Sequence, residues 1–103
     1  MPAMFSGGDY PEVARWLRMF LNSHGKREHP RVEAIVEIDG DREGRAYGTR
    51  LRLEARVSPV VEMDFKEVAD HRGSLAWCQA LADATRARVR DLLAGAPTGA
   101  AAR

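Results

Sequence analysis

Residues 31–57 constrain the fold more than any other stretch. They read RVEAIVEID, GDREGRA and YGTRLRLEARV in succession. Two alternating runs flank a turn-rich, charged centre, the pattern of a β-hairpin. In the first run Val32, Ala34, Val36 and Ile38 fall on one face, and Glu33, Ile35, Glu37 and Asp39 on the other. In the second run Tyr47, Leu51, Leu53, Ala55 and Val57 share a face with Thr49, opposite Arg50, Arg52, Glu54 and Arg56. A strand alternates its side chains with a period of two, so each run has an apolar and a charged face. Aligning both faces pairs Val32 with Leu53, Ala34 with Leu51 and Ile38 with Tyr47. It also sets Glu33 opposite Arg52 and Arg31 opposite Glu54. A two-residue slip one way opposes Arg31 to Arg52, and the other way Glu33 to Glu54. Opposite charges across a pair favour pairing by about 0.2–1 kcal/mol and like charges oppose it. Charge thus selects among the registers that hydrophobicity allows.

The remaining elements read as helices around this hairpin. Asp9 and Glu12 form a capping-box pattern with Pro11 in the first turn. Val13, Leu17, Phe20, Leu21 and His24 follow helical spacing, and Gly25 reads as a left-handed stop. The first helix is therefore expected over about Tyr10 to Ser23. Pro30 launches the first strand. After Ser58-Pro59, the segment VVEMDF alternates as a third strand antiparallel to the second, and Pro59 marks a turn or a bulge. If it is a bulge, strand two runs on, bent, to Phe65 and needs another partner. Asp64 caps a short helical turn to about His71. Ser74 caps a longer helix from about Leu75 to Ala94, ended by Gly95 and Pro97.

The expected fold is a two-layer α+β domain of order α-β-β-β-α. Its three-stranded antiparallel sheet carries two helices on one face, because both apolar stripes need the sheet's single apolar face. Residues 9–95 form this domain, residues 1–8 a flexible lead and residues 96–103 a disordered tail. At 103 residues the chain is long enough for one modest core. Its single cysteine, Cys78, excludes an intrachain disulfide and fits a reducing compartment. No apolar run reaches the roughly 20 residues that span a bilayer, and the start lacks a signal-peptide pattern. The reading is a soluble, cytoplasmic protein.

No constellation of chemistry converges. His24, His29, His71 and Cys78 lack zinc-ligand spacing. Cys78 falls on the inward stripe of the last helix, without a base beside it. Glu54, Glu62 and Asp64 could gather on the outer sheet face, where Arg50, Arg52 and Arg56 would neutralise them. Arg86 and Arg90 share one helix face and Arg88 points elsewhere, all near a C-terminus whose dipole favours cations. Trp16, Phe20 and Trp77 could line a pocket, although aromatic residues at helical spacing also build cores. No metal, cofactor or catalytic residue is assigned.

His24-Gly25 and Met63-Asp64-Phe65 together resemble the pyruvoyl-tetrahydropterin synthase family, whose subunits join through their sheets. Lys26 stands where that family's second histidine belongs, and helix one replaces its first histidine-bearing strand. No site residue is carried over.

The function expected is a small non-catalytic interaction or accessory module that self-associates, as a homodimer or with another protein. Its contact surface would be the charged outer face, with Arg50, Arg52, Arg56, Glu33, Glu37 and Glu54. The alternative is weak nucleic-acid binding by arginines of the sheet face and last helix. Net charge is only +1 and acids interleave throughout, which favours a protein partner over a polyanion.

Overall fold

In the computed structural model of this protein, residues 8–95 are described. The expected disordered tail, and all of the flexible lead except Gly8, lie outside them. Helix α1 runs Tyr10–Glu28, strand β1 Glu33–Glu37, strand β2 Ala46–Leu53, strand β3 Arg56–Val57 and strand β4 Val61–Asp64. Helices α2, Phe65–His71, and α3, Leu75–Leu93, complete the fold, and a 3-10 turn covers Gly40–Arg42. The α+β class holds, with helices against one face of an antiparallel sheet. That sheet has four strands because the end of the expected second strand, Arg56–Val57, turns back as a strand of its own.

The hairpin register is the one that charge and hydrophobicity select. Glu33 pairs with Arg52, Ala34 with Leu51, and Glu37 with Gly48. The Arg31–Glu54 ion pair, at 2.9 Å, extends the same register past the strand ends.

Each helix starts where a side chain caps it. The carboxylate of Asp9 accepts from the Glu12 amide at 2.9 Å. Asp64 does the same for Glu67 at 3.0 Å, and Ser74 for Trp77 at 3.3 Å. These oxygens satisfy first-turn N–H groups that have no partner within the helix. The carboxylate of Glu12 meets Arg72 at 3.4 Å.

Helix α1 does not stop at Gly25. It continues to Glu28 and ends at His29, which is extended ahead of Pro30. Gly25 is there for packing. A Cβ at this position would lie 3.1 Å from Val32 Cγ1 and 3.6 Å from Val89 Cγ2. The missing side chain lets α1 sit close to both the sheet and α3. Gly95, with φ of 75°, is the left-handed stop expected of it after α3.

The core lies between the sheet's apolar face and the helices. Val13, Leu17 and Leu21 of α1 and Val89 and Leu92 of α3 meet Val32, Tyr47 and Leu51. Thr85, also on the inward face of α3, donates back to the Leu81 carbonyl at 2.8 Å. Cys78 is half-buried and its thiol donates to the Arg72 carbonyl at 3.3 Å. Leu93, at the end of α3, is 40% exposed.

The end of β2 departs from the expected course. The chain reverses at Glu54-Ala55, with Leu53 paired to Arg56 and Arg52 to Val57. Glu54 takes a φ of 58° to make this tight turn. Glu-Ala carries none of the Asn or Gly chemistry that announces a two-residue hairpin, so in the sequence the alternation reads on to Val57. Beyond it, Val57 pairs with Arg52 and Val61 with Thr49. Three residues, Ser58 to Val60, therefore oppose two on β2, which is a β-bulge. Pro59 does sit in a bulge, but in the returning strand rather than in a prolonged β2.

Candidate functional site

On the outer face, β1, β2 and β4 place Glu37, Gly48 and Glu62 in one cross-strand row. Gly48 has no side chain, and Arg42, from the 3-10 turn, lies over it. The guanidinium meets Glu62 at 2.6 Å and Glu37 at 3.4 Å. Arg50 contacts Glu37 at 3.3 Å, and Arg52 contacts Glu33 at 2.5 Å. The arginines beside Glu33 and Glu62 hold both carboxyls below their usual range, chiefly through direct hydrogen bonds. Glu33, Glu37, Arg50 and Arg52 thus share the outer face and neutralise one another.

Arg56 does not belong to that face. The early turn pairs it with Leu53, so it points to the helix layer. There it donates to the Leu92 carbonyl at 2.5 Å, near the C-terminus of α3. Val57 takes the outward position instead. Glu54 sits in the hairpin turn, and the proposed gathering of Glu54, Glu62 and Asp64 does not occur: Glu54 pairs with Arg31, Glu62 with Arg42, and Asp64 caps α2.

The arginines of α3 are also engaged. Arg86 and Arg90 both reach Glu28 of α1, at 3.3 and 3.4 Å. Arg88 enters the bulge. It donates to the Thr49 carbonyl at 3.0 Å, Ser58 Oγ at 3.2 Å, and Thr49 Oγ1 and the Pro59 carbonyl at 3.3 Å. Burial lowers its pKa from the ordinary arginine value. Ser58 Oγ in turn accepts the Leu51 amide at 2.9 Å. The bulge is thus closed by a side chain from another layer.

Trp16, Phe20 and Trp77 stack in a row, with ring centroids 5.0 Å apart for Trp16–Phe20 and 6.5 Å for Trp16–Trp77. They fill the α1–α3 seam. His24 lies tilted against Phe20 at 4.5 Å, and His71 stacks on Trp77 at 6.0 Å. His29 Nδ1 accepts the Arg31 amide at 3.1 Å. Among the described residues, no three His, Cys, Asp or Glu side chains are grouped to hold a metal. At the other end of the core, the Tyr10 and Tyr47 rings stack at 4.7 Å. The Tyr10 hydroxyl donates to the Ala46 carbonyl at 2.6 Å, and that of Tyr47 to the Tyr10 carbonyl at 2.8 Å. Burial is the main cause raising both phenol pKa values.

The strand β1 pairs with β2 on one side only, as β4 does at the far edge of the sheet. On the other side of β1, a groove of about 460 Å³ separates it from α1. Arg18, Asn22 and Lys26 form the helix wall, and Glu33 to Val36 the strand wall. The Ala34 amide points into this groove and donates to Asn22 Oδ1 at 2.7 Å. Amides alternate in direction along an antiparallel strand, so Val36 N–H points the same way. Sequence reasoning missed Asn22, Arg42 and Gly48, and read Arg88 only as a cation near a helix C-terminus. The register was the available signal for Gly48, because it sets that glycine opposite Glu37.

Comparison with protein-family models, curated proteins and solved structures gives no match. None of the helices among the described residues is long and apolar enough to cross a membrane.

Proposed function

We propose that this chain is a small, cytoplasmic, non-catalytic interaction module whose contact surface is the open edge of β1. One contrast supports the reading. The charged groups of the sheet's outer face are paired with one another, whereas the β1 edge keeps main-chain groups directed into a groove. Strand addition uses such groups for affinity and alternate side chains for specificity. An unprotected edge is also a liability, and Asn22 covers only part of this one.

The test is photo-crosslinking in living cells from position 35, at the edge, and from position 57, which faces outward on β3 with β2 between it and the edge. Adducts from position 35 that disappear with Val36→Pro are expected. Adducts from position 57 alone, unaffected by that change, would overturn the reading. Self-association through the same edge is one form it can take. Sedimentation across a wide concentration range tests it, and a persistent monomer removes that form. Nucleic-acid binding has less support, since Arg50, Arg52, Arg86 and Arg90 each have a carboxylate partner and Arg88 is half-buried.

A further inference from the structure

Resting on the edge reading above, we infer that the β1 groove accepts an extended acidic peptide segment as an added strand, with carboxylates four residues apart. The helix wall specifies the spacing. Arg18, Asn22 and Lys26 stand at intervals of four along α1 and all line the groove. Two helical turns separate Arg18 from Lys26, a rise of about 12 Å. Four residues of extended chain span about 13 Å, and residues i, i+2 and i+4 share one face. A segment laid along β1 thus presents carboxylates to Arg18 and Lys26, with a small polar residue between them at Asn22. Its intervening residues, on the other face, lie beside Ile35.

The charges of the groove specify the sign. Among the described residues, neither Arg18 nor Lys26 has a carboxylate within ion-pair distance. The Lys26 ammonium donates only to the Pro30 carbonyl, at 3.1 Å. Glu33, the acid nearest this wall, is held by Arg52 at 2.5 Å. Arg18 and Lys26 act on Glu33 only at longer range, and its carboxylate is already bonded to Arg52, so the helix wall presents two cations without a bonded acid of their own. Its backbone contacts come from Val36, and Asn22 keeps its amide N–H donors after its oxygen has taken the Ala34 amide.

A second copy fits the groove less well. Pairing two β1 strands about a two-fold axis at Ile35 gives the longest overlap. It sets Glu33 of each copy opposite Glu37 of the other and brings two cationic α1 walls together. An acidic segment meets neither repulsion.

The experiment is a titration of the isotope-labelled full chain with the peptide acetyl-TEVTVET-amide, followed by amide NMR. The control, TKVTVKT, carries lysine at the same positions. Binding of the first peptide is expected to shift the Val36 backbone and Asn22 side-chain signals. It should weaken about tenfold or more in the Arg18→Glu/Lys26→Glu double variant, and also on moving from low to moderate salt. Val36→Pro should abolish it, with circular dichroism confirming that the variant folds. The double variant keeps the test decisive if Val36→Pro does not fold. Equal binding of both peptides overturns the charge assignment and leaves the edge reading standing. Shifts at Val36 that depend on protein concentration, with no response to either peptide, replace the acidic segment by a second copy. Shifts at neither Val36 nor Asn22 overturn the proposal. Crosslinking from position 35 then decides separately whether the edge is a contact surface at all.

Discussion

Arg42 crosses the central strand directly over Gly48, where an added Cβ would lie 2.6 Å from its Nε. This contact lets one guanidinium reach Glu37 and Glu62 on opposite sides of β2. Gly48→Ala is expected to displace Arg42 and destabilise the fold. In an Arg42→Ala background the same change should be neutral or stabilising, because alanine costs less backbone entropy than glycine. Urea unfolding of the four-member cycle measures the coupling. Equal effects of Gly48→Ala in both backgrounds would show that the two residues act independently.

Arg88 closes the bulge through four oxygen acceptors drawn from Thr49, Ser58 and Pro59. Arg88→Met keeps the stem and removes the donors, which should cost about 1–3 kcal/mol for hydrogen bonds to a charged group. Arg88→Lys should recover less than half of that loss, since an ammonium cannot reproduce the planar fork. Chemical denaturation reports both values. A methionine variant at least as stable as the parent would mean that burying the cation costs more than its contacts return.

Gly25 packs inside α1 against the fully buried Val32. Alanine favours a helix over glycine by about 1 kcal/mol, but its Cβ here would press on Val32 Cγ1 at 3.1 Å. Gly25→Ala is expected to destabilise the parent and to stabilise a Val32→Ala variant. Thermal unfolding of the single and double variants reads the change of sign. A stabilised Gly25→Ala in the parent would show that Val32 gives way freely.

Desolvation by burial, with the positive charges of Arg27 and Arg86, holds the His24 imidazole below its ordinary value of 6.5. Unfolding releases it to take up a proton near 6.5, so below that pH the unfolded chain binds more protons. Stability from neutral His24 is therefore present above 6.5 and is lost as pH falls toward its folded value. Glu33 and Glu62 act in a lower window. Their contribution is full above the ordinary 4.5 and falls away beneath it. Melting temperatures at about pH 7.5 and about pH 5.5 should therefore fall more in the parent than in His24→Gln. Equal losses would assign the acid sensitivity elsewhere.

The α+β class, the helix caps at Asp9, Asp64 and Ser74, and the β1–β2 register were legible in the sequence. Each depends on residues close in the chain or on matching two alternating patterns, so local chemistry determines them. The end of α1, the turn at Glu54-Ala55 and the face of Arg56 were not. Gly25 reads as a stop when only its own helix is considered. Val32 and Val89 instead give it a packing role, and they approach it from other layers. Glu54-Ala55 carries no turn signal of its own; Ser58 bonding to Leu51 and Arg56 bonding to Leu92 fit only the reversed chain. The outer face was legible as residues but not as a surface. Which charges remain free depends on Arg42, which comes from a loop, and on Arg18 and Lys26, which come from a helix. Sequence alone determined the elements and how the first two strands align, because periodicity and capping are local. Tertiary structure decided which charges are paired and which edge borders a groove, because those depend on side chains that meet only after the layers pack.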